Sequence, residues 1–201
     1  MEINKFDLKV HDIERVAGLI VSSQAGKGED TDPRKSHGMV MGLIKAGNNF
    51  LGHENIHISA SGEEITGLTI GYRGRGKDEL GTLLRLLLSL RLSEFASYLS
   101  FTAGLIHGGF TPDIEDDEYY ISVLAVDERY RRKGIGSFLL HHSIQTAKDK
   151  DCKSVVLDVD RSNEPAIRLY RKFGFIFSGR HAHGNARLPI RPILTMELIL
   201  P

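Results

Sequence analysis

Apolar residues along this chain fall into two spacings. Short runs that alternate or are rich in β-branched residues predict strands at 3–9, 56–60, 65–72, 119–126, 155–160, 173–181 and 193–200. Helical spacing appears in Ile13, Val16, Ala17, Leu19 and Ile20, and again in Met39, Val40, Leu43 and Ile44 of a helix at 36–47. It recurs at 77–91, 92–104 and 136–149, and in Ala166, Ile167, Leu169 and Tyr170. The punctuation agrees with this division. Ser61-Gly62-Glu63-Glu64 predicts a hairpin turn, a polar loop with Asp32-Pro33 covers 22–36, and Asn48-Asn49 and Gly174 mark helix ends. Strands and helices interleave throughout, which predicts a mixed α/β domain.

One junction carries chemistry. The apolar run 119–126 leads into Arg131-Arg132-Lys133-Gly134-Ile135-Gly136-Ser137, which opens the helical pattern that follows. A helix start leaves backbone N–H groups unpaired and favours negative charge. Glycines let an anion approach those groups, and Arg and Lys add charge-assisted hydrogen bonds. The nucleotide-binding P-loop is excluded, because its Lys follows the second Gly, whereas the basic residues here precede the glycines. The dinucleotide fingerprint is excluded too, since it requires Gly where Leu139 stands. A second block follows. Val155-Val156-Leu157-Asp158-Val159-Asp160 reads as a strand, Ser162 or Asn163 as the cap of the next helix, and Pro165 as a first-turn residue.

The spacing R-x-x-G-x-G after an apolar strand resembles the acetyl-coenzyme A motif of the GNAT superfamily of N-acetyltransferases. The string Leu-Asp-Val-x-x-Ser-Asn-x-x-Ala-Ile-x-Leu-Tyr-x-x-x-Gly-Phe is similar to the other signature block of that superfamily, in the form carried by bacterial ribosomal-protein alanine N-acetyltransferases. The likeness is close over about 119–182 and holds in outline elsewhere. It implies one GNAT domain over 1–201, with a mostly antiparallel central sheet whose central strands splay apart. It also implies acetyl-CoA as co-substrate and transfer to a primary amine by direct attack. The backbone of Leu124, Ala125 and Val126 would pair with the pantetheine arm. Arg131, Arg132, Lys133, Gly134, Ile135, Gly136 and Ser137 would hold the pyrophosphate, and Asn163 would contact the cofactor. Tyr170 matches the acid that protonates the departing thiolate. Asp158 stands where the ribosomal-protein type carries a catalytic Glu, and the base stays open among Asp158, Asp160, Glu118 and water. Tyr120 lies at another base position but is not a carboxylate.

The chain departs from the simplest pattern of the superfamily at 77–107, where a Leu-rich helical pair is inserted. That insertion is open to three readings: a cover for the acceptor side, a homodimer surface, or core packing. A non-catalytic acyl-CoA-binding regulatory module and an enzyme for a longer acyl-CoA are the alternatives to acetyl transfer.

Composition narrows the partners. The chain has 201 residues, 26 basic and 26 acidic, so no global field calls for nucleic acid or an anionic membrane. The run 83–92 contains Arg85 and Arg91 and is too short to span a bilayer. Cys152, the single cysteine, excludes an internal disulfide and fits a cytoplasmic location, with no N-terminal signal segment expected. Nine histidines raise a metal site, but His181 and His183 have no third ligand near in sequence, so no metal is expected. The acceptor is expected to be a small-molecule amine or a protein amine.

Overall fold

The computed structural model describes residues 1–24, 33–74, 114–178 and 193–201. The strands are β1 (Glu2–Lys5), β2 (Ile56–Ser61), β3 (Glu64–Arg73), β4 (Glu118–Val126), β5 (Ser154–Asp160), β6 (Ile176–Phe177) and β7 (Ile193–Ile199). The helices among the described residues are α1 (Ile13–Gln24), α2 (Pro33–Ala46), α3 (Ile135–Asp149) and α4 (Glu164–Lys172). The sheet runs in the order β1-β2-β3-β4-β5-β7-β6, with antiparallel pairing in β1–β2, β2–β3, β5–β7 and β6–β7. The chain divides into two compact units. One contains Met1–Tyr72 and Ile121–Thr146, and the other contains Ala147–Pro201 with pieces that include Arg73 and Tyr120.

In the first unit, Asp12 caps α1 by accepting the N–H groups of Glu14 and Arg15 at 2.8 and 3.2 Å. Gly47 and Asn48, both at positive φ, stop α2. Val16, Ile20, Ile44, Ile58, Leu68, Ile70, Leu139 and Leu140 are buried and form its core. β3 is buried along nearly its whole length, on both faces, so its sequence does not alternate. Gly67 is there for clearance, since a Cβ at this position would sit 2.9 Å from the Ala125 carbonyl oxygen and 3.1 Å from Leu139. Two residues on, the Thr69 and Ser143 hydroxyls pair at 2.9 Å and tie β3 to α3.

In the second unit, Tyr119, Val155, Leu157, Phe175 and Met196 are buried. β7 runs antiparallel to β5 from Ser154↔Ile199 to Asp160↔Ile193. This register places Asp158 directly opposite Thr195.

Two expected strands are shorter than their apolar patterns. The first covers Glu2–Lys5 instead of 3–9, because the Asp7 carboxylate accepts the Lys9 N–H at 2.8 Å and turns the chain, leaving Leu8 and Val10 exposed. The expected strand 173–181 begins only at Ile176. Phe173, Gly174 and Phe175 instead end α4, with the Phe175 N–H donating to the Tyr170 carbonyl at 3.1 Å and Gly174 at φ 94°. The expected loop at 22–36 is entered by α1 as far as Gln24 and left by α2 from Pro33. The inserted pair at 77–107 lies outside the described residues.

Candidate functional site

The basic glycine turn belongs to the first unit and stands on a polar scaffold. After β4, the Asp127 N–H donates to the Thr66 carbonyl at 3.0 Å, and its carboxylate accepts the Arg129 N–H at 2.8 Å. Asp127 thereby caps a short 3-10 turn, Glu128–Tyr130. The same carboxylate is buried and paired with the guanidiniums of Arg129, at 3.1 Å, and of Arg15 from α1. Hydrogen bonding from Arg129 and then Arg15 holds its acid constant well below the usual carboxylate range, against the opposing effect of burial. Glu64, at the start of β3, accepts from Arg129 at 2.6 Å and from the Tyr130 hydroxyl at 2.5 Å. The Glu64 acceptor raises the Tyr130 phenol above its ordinary value.

The turn itself uses left-handed backbone at Arg132 (φ 61°) and Gly134 (φ 84°). The Gly134 carbonyl accepts the Phe138 N–H at 3.0 Å, so α3 starts immediately after it. The N–H groups of Ile135, Gly136 and Ser137 fall in the first turn, where a helix offers them no acceptor. Arg131 pairs with Glu128 at 3.2 Å. Lys133 Nζ lies 4.8 Å from the centre of the Tyr130 ring. Arg132 and Lys133 have no carboxylate partner among the described residues, so the tip of the turn keeps positive charge beside free amides. Ile135 turns its side chain into the core, leaving only its N–H to offer a ligand. Ala125 is buried, and Leu124 and Val126 are half-buried.

The second unit holds the candidate acid and base. The Tyr170 ring is buried, 5.9 Å from Phe175 centre to centre, and burial pushes its phenol up to about 12. Asp158 Oδ2 accepts the Tyr120 hydroxyl at 3.0 Å, and Oδ1 accepts the Thr195 hydroxyl at 2.7 Å. Both carboxylate oxygens are thus oriented by hydroxyl donors from the neighbouring strands β4 and β7. Asp160 shares the strand parity of Asp158, but its Oδ1 accepts the N–H and hydroxyl of Ser162 at 2.8 and 2.6 Å and shapes the entry to α4. Glu118 is buried, accepting the Glu115 N–H at 2.9 Å and the Ser154 hydroxyl at 3.4 Å. It closes a turn. Asn163, one of two candidate caps, is the one used, accepting the Ala166 N–H at 3.3 Å.

Sequence reasoning missed three contributors to the candidate site. Thr195 is visible only once β7 is known to pair with β5. The Tyr120 hydroxyl, set aside as a base for want of a carboxylate, acts on one instead. The Asp127–Arg15–Glu64 scaffold joins residues distant in sequence, and its only local signal is an Asp before a short basic turn. His181, His183, Arg187 and Arg191 lie outside the described residues.

The chain is similar to known acetyltransferases over part of its length. The model of the acetyltransferase (GNAT) family matches residues 101–175. N-alpha-acetyltransferase 30 of Xenopus laevis is 46% identical over 57 residues, 28% of this chain and 21% of that protein. Spermine/spermidine N(1)-acetyltransferase of Bacillus subtilis (strain 168) is 37% identical over 90 residues, 42% of this chain and 59% of that one. The chain spans between 11% and 59% of the length of such curated relatives. The crystal structure of an N-acetyltransferase from Staphylococcus aureus Mu50 superposes with a TM-score of 0.73 at 20% identity, covering 100% of both chains, and shares the fold. Residues 101–175 thus resemble the acetyltransferase (GNAT) family, and the chain shares the fold of a solved N-acetyltransferase.

Proposed function

We propose that this protein transfers an acetyl group from acetyl-CoA to a primary amine by direct attack, without a covalent enzyme intermediate. The observation that carries the reading is the α3 N-terminus. Three first-turn amides, with Arg132 and Lys133 unneutralised beside them, form a receptor for a doubly charged diphosphate. In this reading the backbone of Leu124, Ala125 and Val126 receives the pantetheine arm as an added strand, and a main-chain N–H near Leu124 polarises the thioester carbonyl.

The amine nitrogen attacks the carbonyl carbon, the C–S bond breaks, and the sulfur leaves as thiolate. Asp158, directly or through water, takes the proton the nitrogen sheds. Tyr120 and Thr195 keep that carboxylate aimed. Tyr170 serves the thiolate. With its phenol near 12 and an ordinary thiol near 8.5, complete proton transfer is uphill by about 5 kcal/mol. Tyr170 therefore stabilises the developing thiolate chiefly by donating a hydrogen bond, and solvent completes the protonation.

The test is an acetyl-CoA assay reading released thiol across a panel of primary amines, polyamines and peptides. Acetylation of at least one class is expected, and Gly136→Glu, which sets a carboxylate against the diphosphate, abolishes it. No turnover with any amine, or full activity in Gly136→Glu, refutes the reading.

A further inference from the structure

The outer face of α4 offers a surface that acetyl transfer leaves unused. An open groove of about 590 Å³ runs between α4, β6 and β7, floored by Ile167, Phe177 and Leu194. Phe177 is 43% exposed, large for an aromatic ring. The rim is basic. Arg161, Arg168 and Arg171 line it against one carboxylate, Glu164. Glu164 is spent on Arg168, at 2.9 Å. Arg171 holds its guanidinium 4.8 Å over the face of Phe177. Arg161 has no ion-pair partner among the described residues. The groove thus carries an excess of two positive charges. The segment 179–192, which joins β6 to β7 and lies outside the described residues, contains Arg180, Arg187 and Arg191 and no Asp or Glu, so it brings no neutralising carboxylate.

We infer that this groove docks an acidic stretch of the acceptor polypeptide, so that the substrate is a protein or peptide with carboxylates shortly after its reacting amine. The inference rests on the acetyl-transfer reading and adds a substrate class to it. Charge complementarity selects the occupant. Arginines with a half-buried apolar floor suit Asp or Glu side chains flanking an apolar one. A nucleic acid suits it less well. Arg171 already occupies the Phe177 face on which a base would stack, and the chain as a whole has no net positive charge. Position fits as well. Leu194 precedes Thr195 and so faces the opposite side of the sheet from Asp158; the path from the carboxylate to the groove goes round the strand ends, where Arg161 lies three residues beyond Asp158, at most about 10 Å of extended backbone. A polypeptide whose amine is at Asp158 reaches the groove around the Asp160–Ile193 end of the strand pair with residues about four to six places downstream.

The experiment compares the full chain on two peptides with identical first three residues, one carrying glutamates and the other lysines at positions four to six. The KM is expected to favour the acidic peptide by about fivefold to tenfold at low salt, the yield of two exposed charge pairs, and the preference fades at 0.5 M salt (roughly a 4 Å screening length). Arg161→Glu with Arg171→Glu removes or inverts the preference and leaves the KM for acetyl-CoA, kcat and the urea midpoint unchanged. Arg171→Lys retains most of it. Equal KM for the two peptides, or an unchanged preference in the double variant, overturns the inference. So does inhibition by a single-stranded RNA oligonucleotide with no peptide preference. Acetylation of small amines but of neither peptide overturns it while acetyl transfer stands, whereas failure on every amine removes acetyl transfer itself.

Discussion

Replacing Asp127 separates two contributions to the turn that carries the free amides. Asp127→Asn keeps an oxygen to cap the Arg129 N–H but removes the charge facing Arg15 and Arg129. Asp127→Ala removes both. A hydrogen bond to a charged group contributes about 1.5–3 kcal/mol, and the cap contributes about 1 kcal/mol. Arg129 is largely exposed, at 63%, so the charge part is discounted to about 1–2 kcal/mol. The expected losses at neutral pH are therefore about 1–2 kcal/mol for Asn and about 2–3 kcal/mol for Ala, read from urea unfolding. The pH dependence has a definite sign. The folded acid constant of Asp127 is depressed, so its contribution is complete above the unfolded value near 4 and is lost as pH falls toward the lower folded value. The gap between wild type and Asp127→Asn must then narrow below about pH 4. The KM for acetyl-CoA rises in both variants more than kcat falls, because the turn is displaced. Two results refute this reasoning: equal stability of all three proteins, or a gap that widens as pH drops.

Tyr170→Phe should keep acetyl-CoA binding and lower kcat about 100-fold or more, and burial of the phenol implies that wild-type kcat shows no Tyr170-dependent fall below about pH 11. An alkaline fall near pH 10 that vanishes in Tyr170→Phe would contradict the assignment. Thr195→Val and Tyr120→Phe each remove one donor from Asp158 and should lower kcat severalfold with the KM for acetyl-CoA retained; unchanged kcat in both would remove Asp158 from the reaction. Gly67→Val drives a side chain into the Ala125 carbonyl and should cost about 1–3 kcal/mol in urea unfolding, and a neutral effect would mean β3 and β4 are looser than described.

The sequence exposes what is local. Periodicity and turn residues locate α3, β4, β5 and the hairpin at Ser61–Glu64 to within a residue or two, since each element carries its own pattern. The basic glycine turn is legible because its glycines and basic residues are contiguous. What the sequence hides is tertiary. Leu8 and Val10 extend an apolar alternation past the point where Asp7 turns the chain. Phe173 and Phe175 read as strand residues yet serve to end α4. The insertion of β7 between β5 and β6, which brings Thr195 to Asp158, has no local signature. The Arg15–Asp127–Glu64 scaffold likewise depends on contacts between residues tens of positions apart.

In the proposed reaction the first-turn amides of α3 grip the diphosphate of CoA. That grip is tested most directly by titrating nitrogen-15-labelled protein with CoA and following backbone amide resonances. Saturable downfield shifts of Ile135, Gly136 and Ser137, lost in Gly136→Glu, are expected. Saturation of binding with those three resonances unmoved would contradict it.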